Sequence, residues 1–220
     1  MELSRYFQAY VTRLQALQVD GIAMGSNTLC AVARDHGWPA SAVPIIDMIA
    51  PTARAVAATG KTNIGVLATS ATVRSGVYGA AVRRAVPGAR VHEVAASELV
   101  DYVEKGIVDG VAITETLRKA RSGFPAPIDL LVLGCTHFPW LQRAIEDQFG
   151  PGVELLDPAH AVAHEVALRR KVPHRDEANE AGVTRFLTTG DARAFEQNLT
   201  LLMGPLREGD EVVQVAPVNL

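Results

Sequence analysis

Residues 128–139 read IDLLVLGCTHFP, and they decide how the rest of the chain is understood. Ile128 to Leu133 is a short apolar run, long enough for a buried strand of a parallel sheet. Gly134 is expected to end it. From Phe138 onward the apolar residues Phe138, Leu141, Ile145 and Phe149 fall three or four apart, the spacing of one helix face. Cys135 therefore belongs at the carboxyl end of a strand, just before a helix N-terminus, where open α/β sheets bind ligands. Unpaired backbone N–H groups and the positive end of a helix dipole favour a thiolate there. Thr136 and His137 add a hydroxyl and an imidazole in the same turn. The same cysteine also reads as a small buried hydrophobe, the common fate of a free thiol.

Working outward, short apolar runs alternate with helical patterns, which indicates βα units and a mostly parallel sheet. An amphipathic helix is expected over 3–17, a strand over 20–25, a helix over 29–36, a strand over 43–47 and a helix over 49–58. A second series follows: strand 64–68, helix 73–85, strand 90–94, helices 98–105 and 111–121, and then the strand before Cys135. Strand 153–156, helix 159–170, an exposed polar loop 171–182, strand 185–188, helix 192–203 and an edge strand 211–215 complete the chain. Three strand ends carry small polar residues: Ser26-Asn27-Thr28, Thr69-Ser70-Ala71-Thr72 and Cys135-Thr136-His137. Each offers hydroxyls, amides and free N–H groups, together suited to a small carboxylate. Each also reads as a set of helix N-caps.

Composition narrows the remaining classes. A chain of 220 residues, 48% hydrophobic, suits one sizeable domain or two small ones. A net charge of −3 shows no bias towards nucleic acid or a membrane surface. No apolar run approaches the roughly 20 residues of a membrane span, and the first ten residues lack the pattern of a signal peptide. Two cysteines make no disulfide framework, and no CxxC pair suggests zinc, so a reduced cytoplasm is the expected setting. His160 and His164 share a helix face at i, i+4. A metal pair has no third ligand signalled, so a solvated face is the stronger reading.

The motifs resemble those of the glutamate racemases, in the aspartate/glutamate racemase family. LGCTHFP (133–139) is similar to their second cysteine motif. GVLATSATVRSGVY (65–78) resembles a strand-turn-helix with the spacing of Thr69, Thr72, Ser75 and Tyr78. Val103-Glu104-Lys105-Gly106 resembles their V-E-x-G segment, and residues 185–204 their closing strand and helix. The resemblance implies an α/β fold of two parallel-sheet βα lobes facing across a cleft. Residues 1–59 with 156–220 would form the first lobe, incomplete at its start, and residues 60–155 the second. It implies a cofactor-independent reaction, without pyridoxal phosphate, on a small dicarboxylic amino acid, and D-glutamate for peptidoglycan. One thiolate removes the Cα proton and a thiol on the other face returns one. Cys135 and Ser26, at the position of the first family cysteine, with His137, would be catalytic. Asn27, Thr28, Thr69, Thr72 and Thr136 would bind substrate.

Two departures bear on the chemistry. The family's first motif is Cys-Asn-Thr, and this chain has Ser26-Asn27-Thr28. A serine hydroxyl is a far weaker acid, and each pKa unit of mismatch is roughly 1.4 kcal/mol. Cys30 lies one helical turn further on, where a packed helix cysteine is the stronger reading than a substitute acid. The family's opening strand-helix-strand, with its Asp-Ser motif and its Pro-Tyr-Gly turn, has no counterpart here. Its loss is expected to expose apolar surface and strand edges, so self-association as a homodimer is a further expectation. Beside racemisation stand a single-cysteine decarboxylase or isomerase acting on a small carboxylate, and an inactive binding homologue.

Overall fold

The structure is a computed structural model that describes residues 2–125, 127–169 and 183–217. Its elements are, in order, α1 (Glu2–Ala16), β1 (Ile22–Ala23), α2 (Asn27–His36), β2 (Ile45–Ile46), α3 (Ile49–Ala58), β3 (Asn63–Ala68), α4 (Ser70–Ser75), α5 (Val77–Ala85), β4 (Arg90–Ala95), α6 (Glu98–Glu104), α7 (Val111–Ser122) and β5 (Leu130–Gly134). A 3-10 helix, Phe138–Leu141, precedes α8 (Gln142–Phe149), β6 (Glu154–Leu156), α9 (Pro158–Arg169), β7 (Arg185–Thr188), α10 (Ala192–Met203) and β8 (Glu211–Gln214). The polar loop expected over 171–182 and the last residue of the helix expected over 159–170 lie outside the described residues.

Every strand pair is parallel. The strands β4-β3-β5-β6 form a four-stranded sheet, while β1-β2 and β7-β8 form two separate two-stranded sheets. The central strands NIGVLA and LLVLG are apolar throughout because the sheet is covered on both faces. Alternate residues feed different cores. Ile64, Val66, Leu130 and Val132 pack with the residues of α1 to α3, whereas Leu67, Leu131, Leu133 and Cys135 pack with α6, α7 and α8. Gly65 makes this close packing possible. A Cβ there would lie 2.5 Å from Ile128 Cδ1 and 3.0 Å from Leu131 Cδ1.

Four expectations change. The strand expected to begin at Ile128 begins at Leu130 and ends, as expected, at Gly134. The helix expected over 73–85 is two helices: α4 begins at Ser70 and ends at Ser75, capped by Gly76, whose φ of 60° is the left-handed conformation that glycine adopts without strain. Asn27 and Thr28 lie in the first turn of α2, not before it, because the Ser26 side chain caps that helix. The helix after Cys135 opens as a four-residue 3-10 helix, and α8 starts only at Gln142. The N-terminus of α8 therefore does not directly follow the thiol. Among the described residues no helix is long and apolar enough to cross a membrane.

Candidate active site

Three strand ends meet at one cavity. β1 delivers Ser26, Asn27 and Thr28, β3 delivers Thr69 and Thr72, and β5 delivers Gly134, Cys135, Thr136 and His137. Val100 of α6 supplies an apolar patch. The cavity holds about 150 Å³, well under the roughly 300–1,000 Å³ of pockets for drug-sized molecules, so its ligand is small. All eight residues singled out from the sequence border this space. The strands deliver them together because ligand sites of parallel sheets form at carboxyl ends, where loops and helix starts leave polar groups unpaired.

On one wall, Cys135 follows the end of β5 and is buried. Its Sγ lies 3.7 Å from His137 Nδ1. His137 Nε2 donates to Glu104 Oε1 at 2.5 Å, from the end of α6. The hydrogen bond to Cys135, joined by that to Glu104, outweighs desolvation and pushes the His137 imidazole up to about 9. At neutral pH an imidazolium therefore faces the sulfur, held in place by a carboxylate behind it. Glu104 was marked in the sequence only as part of V-E-x-G. Its partnership with His137 spans 33 residues of sequence, so no local spacing signals it.

Ser26, Asn27 and Thr28 reach the cavity from a different sheet, and Thr69 and Thr72 from the sheet of Cys135 itself. Ser26 Oγ accepts the Leu29 N–H at 3.3 Å, the N-cap of α2. Among the described residues no carboxylate or imidazole is hydrogen-bonded to it. Asn27 is buried, and its Oδ1 accepts from the Tyr78 hydroxyl at 2.6 Å. Its Nδ2 has no partner among the described residues. A buried amide donor left unpaired costs about 1–3 kcal/mol, and a ligand oxygen in the cavity would satisfy it. Thr69 caps α4, and its hydroxyl lies 3.1 Å from that of the fully buried Thr72. Tyr78, which orients Asn27, lies 51 residues away in sequence, and its place in the Thr69–Tyr78 spacing carries no sign of that contact.

Cys30 is not at the cavity. It is buried in α2, where its Sγ accepts the Met48 N–H at 3.4 Å. Burial pushes its thiol up to about 12, which makes it a packed hydrophobe and not a substitute acid. His160 and His164 are both exposed on α9. Among the described residues no three His, Cys, Asp or Glu side chains group as metal ligands.

Comparison with known proteins agrees with this architecture. The family model described as Asp/Glu/Hydantoin racemase matches residues 3–166. A glutamate racemase of Syntrophus aciditrophicus is 33% identical over 97% of this chain and 80% of its own length. One from Gloeobacter violaceus is 36% identical over 89% of this chain and 73% of its own. The crystal structure of glutamate racemase isoform RacE1 from Bacillus anthracis superposes with a TM-score of 0.83 at 28% identity, covering 97% of this chain and 80% of that one. A cysteine–histidine wall, a Ser-Asn-Thr wall and a parallel-sheet frame thus coincide with similarity over most of the chain: the chain belongs to the Asp/Glu/hydantoin racemase family, among its glutamate racemases.

Proposed function

We propose that this chain interconverts L- and D-glutamate by moving the Cα proton without a cofactor. The Cys135 thiolate takes the Cα proton from one face, becoming a thiol and leaving the electron pair on the substrate. Donors around the substrate carboxylate, among them Asn27 Nδ2 and the hydroxyls of Thr28, Thr69, Thr72 and Thr136, stabilise the carbanion. A proton given to the other face by the Ser26 hydroxyl, which then recovers one from solvent, completes inversion, and one returned by Cys135 restores the starting enantiomer. His137 faces the sulfur at 3.7 Å, and Glu104 holds His137. The observation that carries this reading is the convergence of the Cys135–His137 pair and the Ser26-Asn27-Thr28 turn, from separate sheets, on one small cavity. The proposal includes the two-lobe division, residues 1–59 with 156–220 and residues 60–155. It also includes a cytoplasmic setting, self-association, and a supply of D-glutamate for peptidoglycan.

A second reading is favoured by the Ser26 wall. Its hydroxyl caps a helix and has no neighbouring base, and Cys30 is buried with a raised pKa. One-sided proton delivery by Cys135 would then dominate, as in a decarboxylase or isomerase that protonates one face.

Proton NMR in D2O, started from L- and then D-glutamate, separates these readings. Loss of the Cα–H signal with inversion, absent in Cys135→Ala, is expected for the racemase. Ser26→Cys is expected to raise inversion more than exchange. Exchange without inversion supports the second reading, and no exchange from either enantiomer overturns glutamate as substrate.

A further inference from the structure

Glu93 is a half-buried carboxylate that takes no part in the proton transfer. It lies on β4, an edge strand of the four-stranded sheet, and its side chain leans onto α5. Its Oε1 accepts the Gly79 N–H at 3.1 Å. Its Oε2 is buried and has no partner among the described residues. Burial raises its pKa, and the Gly79 N–H, Arg83 of α5 and Arg34 of α2 offset that rise only in part. Keeping a carboxylate there is costly, and what it holds is the start of α5.

That start is a kink. α4 ends at Ser75, and Gly76 turns the chain and has no side chain with which to cap α5. The first N–H groups of a helix have no acceptor within it. Ser75 Oγ accepts that of Val77 at 3.3 Å, and Glu93, from another element, accepts that of Gly79. A negative charge at this end also suits the helix dipole. Gly79 admits the carboxylate: a Cβ there would lie 2.3 Å from Glu93 Oε1 and 2.7 Å from Arg83 Nη2. Beside Gly79 is Tyr78, whose hydroxyl donates to Asn27 Oδ1 at 2.6 Å and so leaves Asn27 Nδ2 for a ligand. Arg34, on the same helix as Asn27, donates to the Ser75 carbonyl at 2.5 Å. The three helices α2, α4 and α5 are therefore tied to one another around Glu93.

We infer that Glu93 is a positioning residue for Asn27: by fixing the first turn of α5 through the Gly79 N–H, it sets the Tyr78 hydroxyl that orients the Asn27 amide. Glu93 does not border the cavity, so it touches no substrate and acts through Tyr78. The phenol is a long, stiff arm. A small rotation of the turn about the helix axis moves the hydroxyl at its tip much further than it moves the backbone. The kinetic part of this role rests on the racemase reading; the placement of Asn27 does not.

The test begins without substrate. Heteronuclear NMR of the ligand-free protein follows the side-chain amide signals of Asn27. Glu93→Ala is expected to shift them in the same direction as Tyr78→Phe. Glu93→Gln, whose carbonyl can still accept from Gly79, is expected to leave them in place. Steady-state kinetics with L- and D-glutamate follow. Glu93→Ala is expected to raise KM by about two- to tenfold, the equivalent of one hydrogen bond, with a smaller fall in kcat. In a Tyr78→Phe background it is expected to add little, because both changes act on one amide. Glu93→Asp, which keeps the charge but falls short of Gly79, should reproduce the alanine effects and serves if that variant misfolds. Unmoved Asn27 signals in a folded Glu93→Ala or Glu93→Asp protein overturn the proposal. So do KM effects that add in full to those of Tyr78→Phe, since Glu93 would then act by another route. Moved signals in a protein whose wild type turns over neither enantiomer would overturn the racemase reading and support this placement of Asn27.

Discussion

His137 gathers most of the electrostatic consequence at the scale of single residues. Its hydrogen bonds to Cys135 and Glu104 stabilise the imidazolium, and its pKa rises from 6.5 to about 9 on folding. A raised pKa means that the folded state holds the proton more tightly than the unfolded chain does. The resulting stabilisation is complete below about pH 6.5 and is lost as pH rises through about 9. Thermal unfolding followed from pH 6 to about pH 10 should show this loss in the wild type and a flatter profile in His137→Gln. An identical slope in the variant would show that other groups set it. Exchange at Cα should fall in the same variant, because the sulfur loses its neighbouring cation.

At the scale of elements, the strand-to-helix turns do two jobs with the same residues. Ser26 and Thr69 cap α2 and α4 while lining the cavity. Reading such residues either as caps or as site residues is therefore a false choice. The central strand β3 shows how little room these elements leave. Gly65→Ala would push a Cβ into Ile128 and also crowd Phe124, whose ring carbon would lie at 3.0 Å. Overpacking of this kind costs about 1–3 kcal/mol. Calorimetry should show a melting temperature lower by several degrees, at about 2–4 °C per kcal/mol for a chain of this size. An unchanged midpoint would mean that the Ile128 loop yields freely. The turn after β5 teaches a different lesson. The apolar spacing from Phe138 is helical, but Pro139 sits in the first turn and the chain coils as 3-10 before the α-helix begins. The periodicity registered the face and missed the tighter winding.

Across the whole molecule, the site depends on elements from different sheets holding position. The hydrogen bond from Tyr78 to Asn27 is buried and spans 51 residues. Tyr78→Phe removes the donor and leaves Asn27 with both polar atoms unpaired. It should lower stability by about 1–3 kcal/mol and raise the KM for substrate more than it lowers kcat, because Asn27 would lose its orientation. Chemical denaturation with steady-state kinetics checks both. A stability loss with unchanged KM would confine Tyr78 to a structural role.

What the sequence determined by itself was local. Alternating apolar runs and helical spacings set the βα units, because side-chain periodicity and capping chemistry act over a few residues. They also marked the three polar strand ends, and the motif spacing pointed to the family. Only the tertiary structure decided that those ends face one another. Packing of the α1–α3 region against the four-stranded sheet, not adjacency in the chain, brings Ser26 to Cys135. The same non-local packing pairs His137 with Glu104, turns Asn27 against Tyr78 and buries Cys30 away from the cavity. Such contacts follow from how helices and separate sheets pack on one another, and no window of sequence contains that packing.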